Sequence, residues 1–387
     1  MNDFLIENGV LIQYTGKSGI VVIPEGVKAI DPHAFDDCKS IKKLILNEGL
    51  ECFDEECLSS LTKREIQLAR IFISSTVKEI KLAGKSGVLG GKVNYLIHEE
   101  NPKYFMDDDI CYEVNEQGKY TVLFCQNKML GHAIINNGTI EIADCAFALP
   151  QKNFGDSADD EFDFDDESFD DEDFDFSFDF DFDGDDDTLG IFLRLQKIEL
   201  PDTLEKIGVN AFSKCEALSE LVIGPAVSSI DATAFTGCKK LKKITVSPNN
   251  AYYTDVDGVL FDKNVKALIA FPENKKADKY ELPTTIENFG TAFANVQGVK
   301  ELHLSSNITK LVRNAFPESC KIKKLYIKND IKDIDPCVFG EEAYESATRE
   351  EPIEVYVASN YYFADYVQEV MKSPQGNISV TDRKSVV

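Results

Sequence analysis

The sequence predicts an α/β-type repeat solenoid: a stack of similar coils with a closing helix at the C-terminus. Three observations predict it. Leu195, Leu218 and Leu241 recur every 23 residues, and Phe212/Phe235 and Cys215/Cys238 keep the same step. A fixed step of roughly 20–30 residues marks units that bury their apolar side chains only by stacking on their neighbours. The unit also reappears far upstream. Pro24, Val27, Ile30, Ala34, Phe35, Cys38, Ile41 and Leu44 match Pro201, Leu204, Ile207, Ala211, Phe212, Cys215, Leu218 and Leu221 at identical spacing. Finally, Phe293, Phe316 and Phe339 carry the 23-residue step onward.

Taken in order, residues 1–152 read as a strand-rich cap, N-terminal repeats and a hairpin module. Ile6, Val10, Leu11, Ile12 and Tyr14 form the cap strands, with Gly9 and the Gly16–Gly19 pair as turns. From Asn47 to Glu100 the pattern degrades, keeping a strand at Val77, Ile80 and Leu82 and a Gly-rich loop from Ala83 to Lys92. A second kind of module occurs twice: Asn101, Tyr104, Ile110 and Tyr112 correspond to Asn250, Tyr253, Val259 and Phe261. Each is followed by an apolar strand, so a β-hairpin that widens one coil is expected. Residues 153–188 interrupt the register as an acidic Asp/Phe-rich insert. Residues 189–340 restore the repeat and contain the second hairpin module. Residues 341–387 form the C-terminal cap, where Phe363, Tyr366, Val367, Val370 and Met371 stand at helical spacing. One hydrophobic interior shared by all coils is the expectation that ties these parts together.

Charge and cysteine placement narrow the classes of function. The net charge is −27, but 19 acidic residues and no basic one lie between Asp156 and Asp187. The rest of the chain therefore carries about −8, and a basic nucleic-acid footprint is absent. Ten cysteines include Cys38, Cys215 and Cys238, each three residues after a repeat phenylalanine, where they read as small buried apolar residues. No CxxC pair occurs, the start MNDFLIENGV has no basic and apolar leader pattern, and no run of 18 apolar residues exists. These features point to the cytoplasm, with the cell surface or secretion as the alternative.

The unit IPxxLxxIxxxAFxxCxxLxxL at Leu200–Leu221 resembles the BspA-type leucine-rich repeat family, as does the NxxYxxxDGVLF segment at Asn250–Phe261. The resemblance covers most of the chain outside the acidic insert. It implies a curved parallel sheet on one face, irregular or 3₁₀ backbone on the other, and a role in protein binding. Some relatives are surface adhesins.

In an LxxLxL strand the leucines point inward and the residues flanking the middle one point out. That rule selects a partner-binding face of Lys43, Ile45, Glu79, Lys81, Lys197, Glu199, Glu220, Val222, Lys243, Thr245, Glu301, His303, Lys324 and Tyr326. The competing reading is a solvated face of scattered ion pairs, each worth under about 1 kcal/mol. The insert alternates acids with eight phenylalanines, as in DFDFSFDFDFD at 173–183, which suits disorder or a docking segment. Asp179, Asp181 and Asp183 open a calcium-loop pattern, but Gly190 occupies the place of its bidentate Glu. Calcium-responsive binding through the insert is thus a further alternative. Lysines cluster after the repeat phenylalanines (39, 42, 43; 239, 240, 242, 243; 321, 323, 324), a ridge the acidic insert would mask by folding back.

Enzyme signatures are poor. Gly16-Lys17-Ser18 and Gly84-Lys85-Ser86 lack the upstream P-loop glycine, with Leu11 and Glu79 in its place. His33, His98, His132 and His303 show no metal-ligand spacing, and no GxSxG elbow appears. Catalytic residues, metal and cofactor are therefore expected to be none. The sequence reads as a protein-binding scaffold, with an adhesin as the alternative.

Overall fold

Leu218, Leu221 and Ile223 are buried while Glu220 and Val222 between them are exposed, so the LxxLxL segment is a half-buried strand. In the computed structural model, which describes residues 3–38, 41–59, 68, 70–82, 93–126, 130–148, 195–317, 319–340, 353–357, 362 and 378–382, such strands stack in parallel coil upon coil. The first ladder begins with Ile20–Val22, Lys43–Ile45, Arg70–Ile73 and Asn94–Ile97. It resumes as the pairs His132–Ile134 with Lys197–Glu199 and Glu220–Ile223 with Lys243–Val246. It ends as Ala277–Glu281, Val299–His303, Lys324–Tyr326, Ile353–Val357 and Ile378–Asp382.

The opposite side is more regular than the expected irregular or 3₁₀ backbone. After most of these strands the chain turns and forms a second parallel strand. Ala29–Ile30, Cys52–Asp54, Glu79–Lys81, Thr139–Ile142, Lys206–Ile207, Ser229–Ile230, Lys310–Leu311 and Asp333–Ile334 build this second ladder in segments. Only Glu55–Leu58 is a 3₁₀ element among the described residues. No α-helical element lies wholly within them, so the described chain is a parallel β-solenoid rather than an α/β one. The helix expected over residues 363–371 lies outside the described residues.

The tight turn after the second ladder has a local cause. Asp31, Asp231 and Asp335 each accept the backbone N–H two residues on, at 2.8–2.9 Å, as Asx turns do. The turn drops the Ala-Phe pair into the core. Phe147, Phe212 and Phe235 stack in succession at 5.3 and 5.9 Å between ring centroids, nearly parallel. Phe293, Phe316 and Phe339 repeat the column at 6.3 Å per step. Cys215 and Cys238 are buried there, but they do more than fill space. Each thiol donates to a carbonyl one coil back, Phe147 O at 3.4 Å and Phe212 O at 3.2 Å.

Each duplicated module is a three-stranded antiparallel meander, one strand more than a hairpin: Tyr104–Asp107, Ile110–Val114 and Tyr120–Cys125, then Tyr253–Val256, Val259–Asp262 and Leu268–Ala270. Two-residue turns with positive φ close the first hairpin of each, Asp108–Asp109 and Asp257–Gly258. These meanders divide the interior into three clusters, where the sequence suggested one. Strand Ile110–Val114 sends Cys111 into the N-terminal cluster and Ile110 and Tyr112 into the middle one. Strand Val259–Asp262 sends Leu260 to the middle cluster and Val259 and Phe261 to the C-terminal one. Phe35 consequently packs against Tyr14 in the N-terminal cluster, apart from the Phe147–Phe235 column.

Candidate functional site

The outward side chains of the first ladder form two adjacent rows, because every coil contributes one residue on each side of its middle core position. Lys43 and Ile45, Lys197 and Glu199, Glu220 and Val222, Lys243 and Thr245, Glu301 and His303, and Lys324 and Tyr326 all stand on it. Glu79 and Lys81 do not. They lie on the second ladder, in register with Cys52 and Asp54. Val77-x-x-Ile80 has the spacing of an LxxL strand, but it occupies the place of Val27-x-x-Ile30, the turn leading into the second ladder. The first-ladder strand of that coil is Arg70–Ile73, which puts Arg70 and Phe72 on the face. Leu68, Ile71 and Ile73 do fit LxxLxL; the 27-residue step from Leu44 to Ile71 hid them. Leu96, Ile134 and Tyr356 are further members that pattern reading missed.

The character of the face changes along the ladder. At the N-terminal end Val22, Ile45, Phe72 and Leu96 are cross-strand neighbours and form an apolar row. Val22 is 54% exposed and Leu96 41%. The adjacent row reads Ile20, Lys43, Arg70, Asn94, with cations and no carboxylate. The middle is polar: Glu199 takes bonds from Lys197 at 2.5 Å and His132 at 3.1 Å, which hold its carboxyl below the usual range. Ile134 and Val222 stand out there, 58% and 61% exposed.

At the C-terminal end one row alternates in charge, Lys279, Glu301, Lys324, Glu354. Lys324 meets Glu301 at 3.3 Å. The other row starts at Glu281 and continues as an aromatic stack: His303 lies on Tyr326 at 4.0 Å, and Tyr326 on Tyr356 at 4.4 Å, with planes within 9°. Such stacks present ring edges outward, and Tyr356 donates its phenol to Glu354 at 2.6 Å. Burial and the nearby Lys279 push His303 below its ordinary pKa, against the opposing pull of Glu281 at 3.7 Å.

Of the lysine ridge, Lys42, Lys242 and Lys323 hold equivalent places, each donating its N–H to the coil before it. Part of the ridge is already neutralised, since Lys239 pairs with Glu216 and Lys324 with Glu301. Lys39 and the whole insert, including Asp179, Asp181 and Asp183, lie outside the described residues. Among the described residues no cluster of three metal-ligating side chains occurs. His33 is a turn residue, exposed and 3.0 Å from Asp36.

Comparison with known proteins places this geometry. The BspA type leucine rich repeat region matches in six copies over residues 13–83, 192–266 and 267–370. A leucine rich cell surface protein from Faecalibacterium prausnitzii has a similar structure, with a TM-score of 0.54 and 16% identity over 99% of this chain and 93% of that one. The pneumococcal vaccine antigen PcpA aligns at a TM-score of 0.36 and 14% identity, over 99% of this chain and 96% of that one. A leucine-rich repeat protein from Eubacterium ventriosum gives 0.36 and 14%, over 92% and 76%. These last two scores are too low to establish a shared arrangement. No curated protein sequence matches the chain.

Proposed function

Because the chain belongs to the BspA-type leucine-rich repeat family, we propose that it is a non-enzymatic scaffold that binds another protein through its first-ladder face. The observation that carries this reading is the row of outward side chains left uncovered along the ladder. Val22, Leu96, Ile134 and Val222, each at least 41% exposed, occupy the outward position just after the buried middle residue of their strands. Apolar groups repeatedly placed on one open face suit an interface better than a solvated surface. A photo-crosslinking residue installed at Val222 or Ile134 should capture a defined partner in the source cells, while one at Lys81 on the second ladder should not. Equal capture at all three positions, or none at any, overturns the proposal.

The cell surface is the location this reading favours, reversing the order suggested by the sequence. The support is the cell surface protein from F. prausnitzii, whose fold this chain shares over nearly its full length. The chain's most deeply buried cysteines do not oppose it. Burial pushes the thiols of Cys57, Cys111, Cys215 and Cys238 up, leaving them inert in an oxidising or reducing compartment. Protease shaving of intact cells should release the protein; recovery only after lysis returns it to the cytoplasm. The acidic–aromatic insert at 156–187 serves in this reading as a second docking element. The alternation of its acids and phenylalanines is the support.

A further inference from the structure

The four N-terminal strands of the first ladder differ in chemistry from the rest of the face, and the difference selects a partner. We infer that strands Ile20–Val22, Lys43–Ile45, Arg70–Ile73 and Asn94–Ile97 bind an amphipathic helix of a partner protein with a carboxylate-rich flank. The inference rests on the scaffold reading and adds where the partner sits and what it carries.

The first argument is charge. Val22, Ile45, Phe72 and Leu96 form an unbroken apolar row across four hydrogen-bonded strands, and the exposed Arg70 stands one row away. A cationic helix would desolvate Arg70 against like charge; an acidic flank meets it with opposite charge. The C-terminal end of the same face lacks this bias, since there lysines and glutamates alternate.

The second argument is spacing. Neighbouring strands lie about 4.8 Å apart, so the four apolar residues span roughly 14 Å across the ladder. A helix lying along that row presents one apolar side chain per turn of about 5.4 Å, or roughly 16 Å over three turns. An extended segment alternating apolar and polar residues repeats every ~6.7 Å and spans about 20 Å, drifting a full strand out of step. The row therefore fits a helix and disfavours a period-two segment such as residues 173–183 of this chain. Docking the apolar face of an amphipathic helix on an apolar surface is an established way of recognising peptides in general.

Three fluorescent peptides titrated against the full-length protein at low salt test this. The first is a helix-forming 18-mer with leucines at i, i+4, i+7 and i+11 and glutamates along one flank. The second replaces those glutamates with lysines, and the third has the sequence of residues 173–183. The first should bind at least tenfold tighter than either control. Arg70→Glu and Val22→Asp, both at exposed positions, should each weaken it at least fivefold; Glu301→Lys should leave it unchanged. Melting curves of the variants establish that each is folded. No binding of the first peptide, equal binding of a control, or indifference to Arg70→Glu and Val22→Asp overturns the inference. The scaffold reading would survive that result if crosslinking at Val222 or Ile134 still captured a partner.

Discussion

Single polar residues do much of the work of holding coil to coil. Asn250 is buried, donates to Gly224 O and Val227 O at 2.8 Å, and accepts from the N–H groups of Tyr252 and Tyr253 at 2.8 Å. Asn101 does the same with Ser74, Val77, Lys103 and Tyr104. One amide thus closes the turn of the preceding coil and starts the meander, which is why both modules begin with Asn. Removing it strands four backbone groups. Asn250→Ala should cost about 2–4 kcal/mol in urea unfolding, and a loss under about 0.5 kcal/mol would show that water replaces the amide. Glu273 tells the opposite story. Burial raises its carboxyl to about 7, only partly offset by the Gly237 N–H at 2.6 Å. The folded protein therefore takes up this proton more readily than the unfolded chain does. Its destabilising effect is absent at acid pH and grows as pH rises from about 4.5 to about 7. Glu273→Gln should remove that slope and raise stability at pH 8 by about 2 kcal/mol, on roughly 1.4 kcal/mol per unit of pKa discounted for partial burial. Urea melts at pH 5 and pH 8 decide it: a slope unchanged by the substitution refutes the assignment.

Among the elements, the meanders show how an interruption is joined to a ladder. Strand Ser229–Ile230 ends a segment of the second ladder, and among the described residues no further strand bonds its outer edge. The phenol of Tyr253 takes that place, accepting from Ile230 N–H at 3.0 Å and lying 3.4 Å from Ser228 O. Tyr104 repeats the arrangement on Ile80 and Lys78 at 3.1 and 3.3 Å. Tyr253→Phe keeps the ring and removes the cap, so about 1–2 kcal/mol should be lost. Hydrogen exchange at Ile230 should accelerate while that at Leu221 should not. These elements also show where sequence legibility ends. The 23-residue coils were legible because burial repeats with the coil, so Phe212, Cys215 and Leu218 recur as a set. The Asn-Tyr modules were legible as a duplication ending in an apolar strand at 121–125 and 267–271, although the division of the preceding stretch into two paired strands was not. The face residues Arg70 and Phe72 were hidden because L-x-x-I before the second ladder has the same spacing as L-x-x-L in the first. Periodicity alone cannot assign such a segment to a ladder. Asp108–Asp109, unlike Asp257–Gly258, carries no glycine to announce its hairpin turn.

At the scale of the whole molecule, the three core clusters decide how the chain should unfold. A solenoid with one uninterrupted interior transmits a defect from coil to coil through like contacts. Here the transmission passes through two strands, Ile110–Val114 and Val259–Asp262, whose successive side chains serve different clusters. Phe53 belongs to the N-terminal cluster and Phe316 to the C-terminal one, both fully buried. Phe→Ala at such sites costs about 3–5 kcal/mol. If the meanders insulate the clusters, Phe53→Ala should raise exchange at Leu44 and Ile71 while leaving Leu302 and Leu325 protected. Phe316→Ala should do the reverse. The face inherits this partition, because each stretch of the first ladder rests on its own cluster: the apolar row on the N-terminal one, the His303–Tyr326–Tyr356 stack on the C-terminal one. A defect under one stretch should then spare binding at the other. Native-state hydrogen exchange on the two variants separates the cases: uniform loss of protection from either substitution would mean that the meanders couple the clusters rather than insulate them.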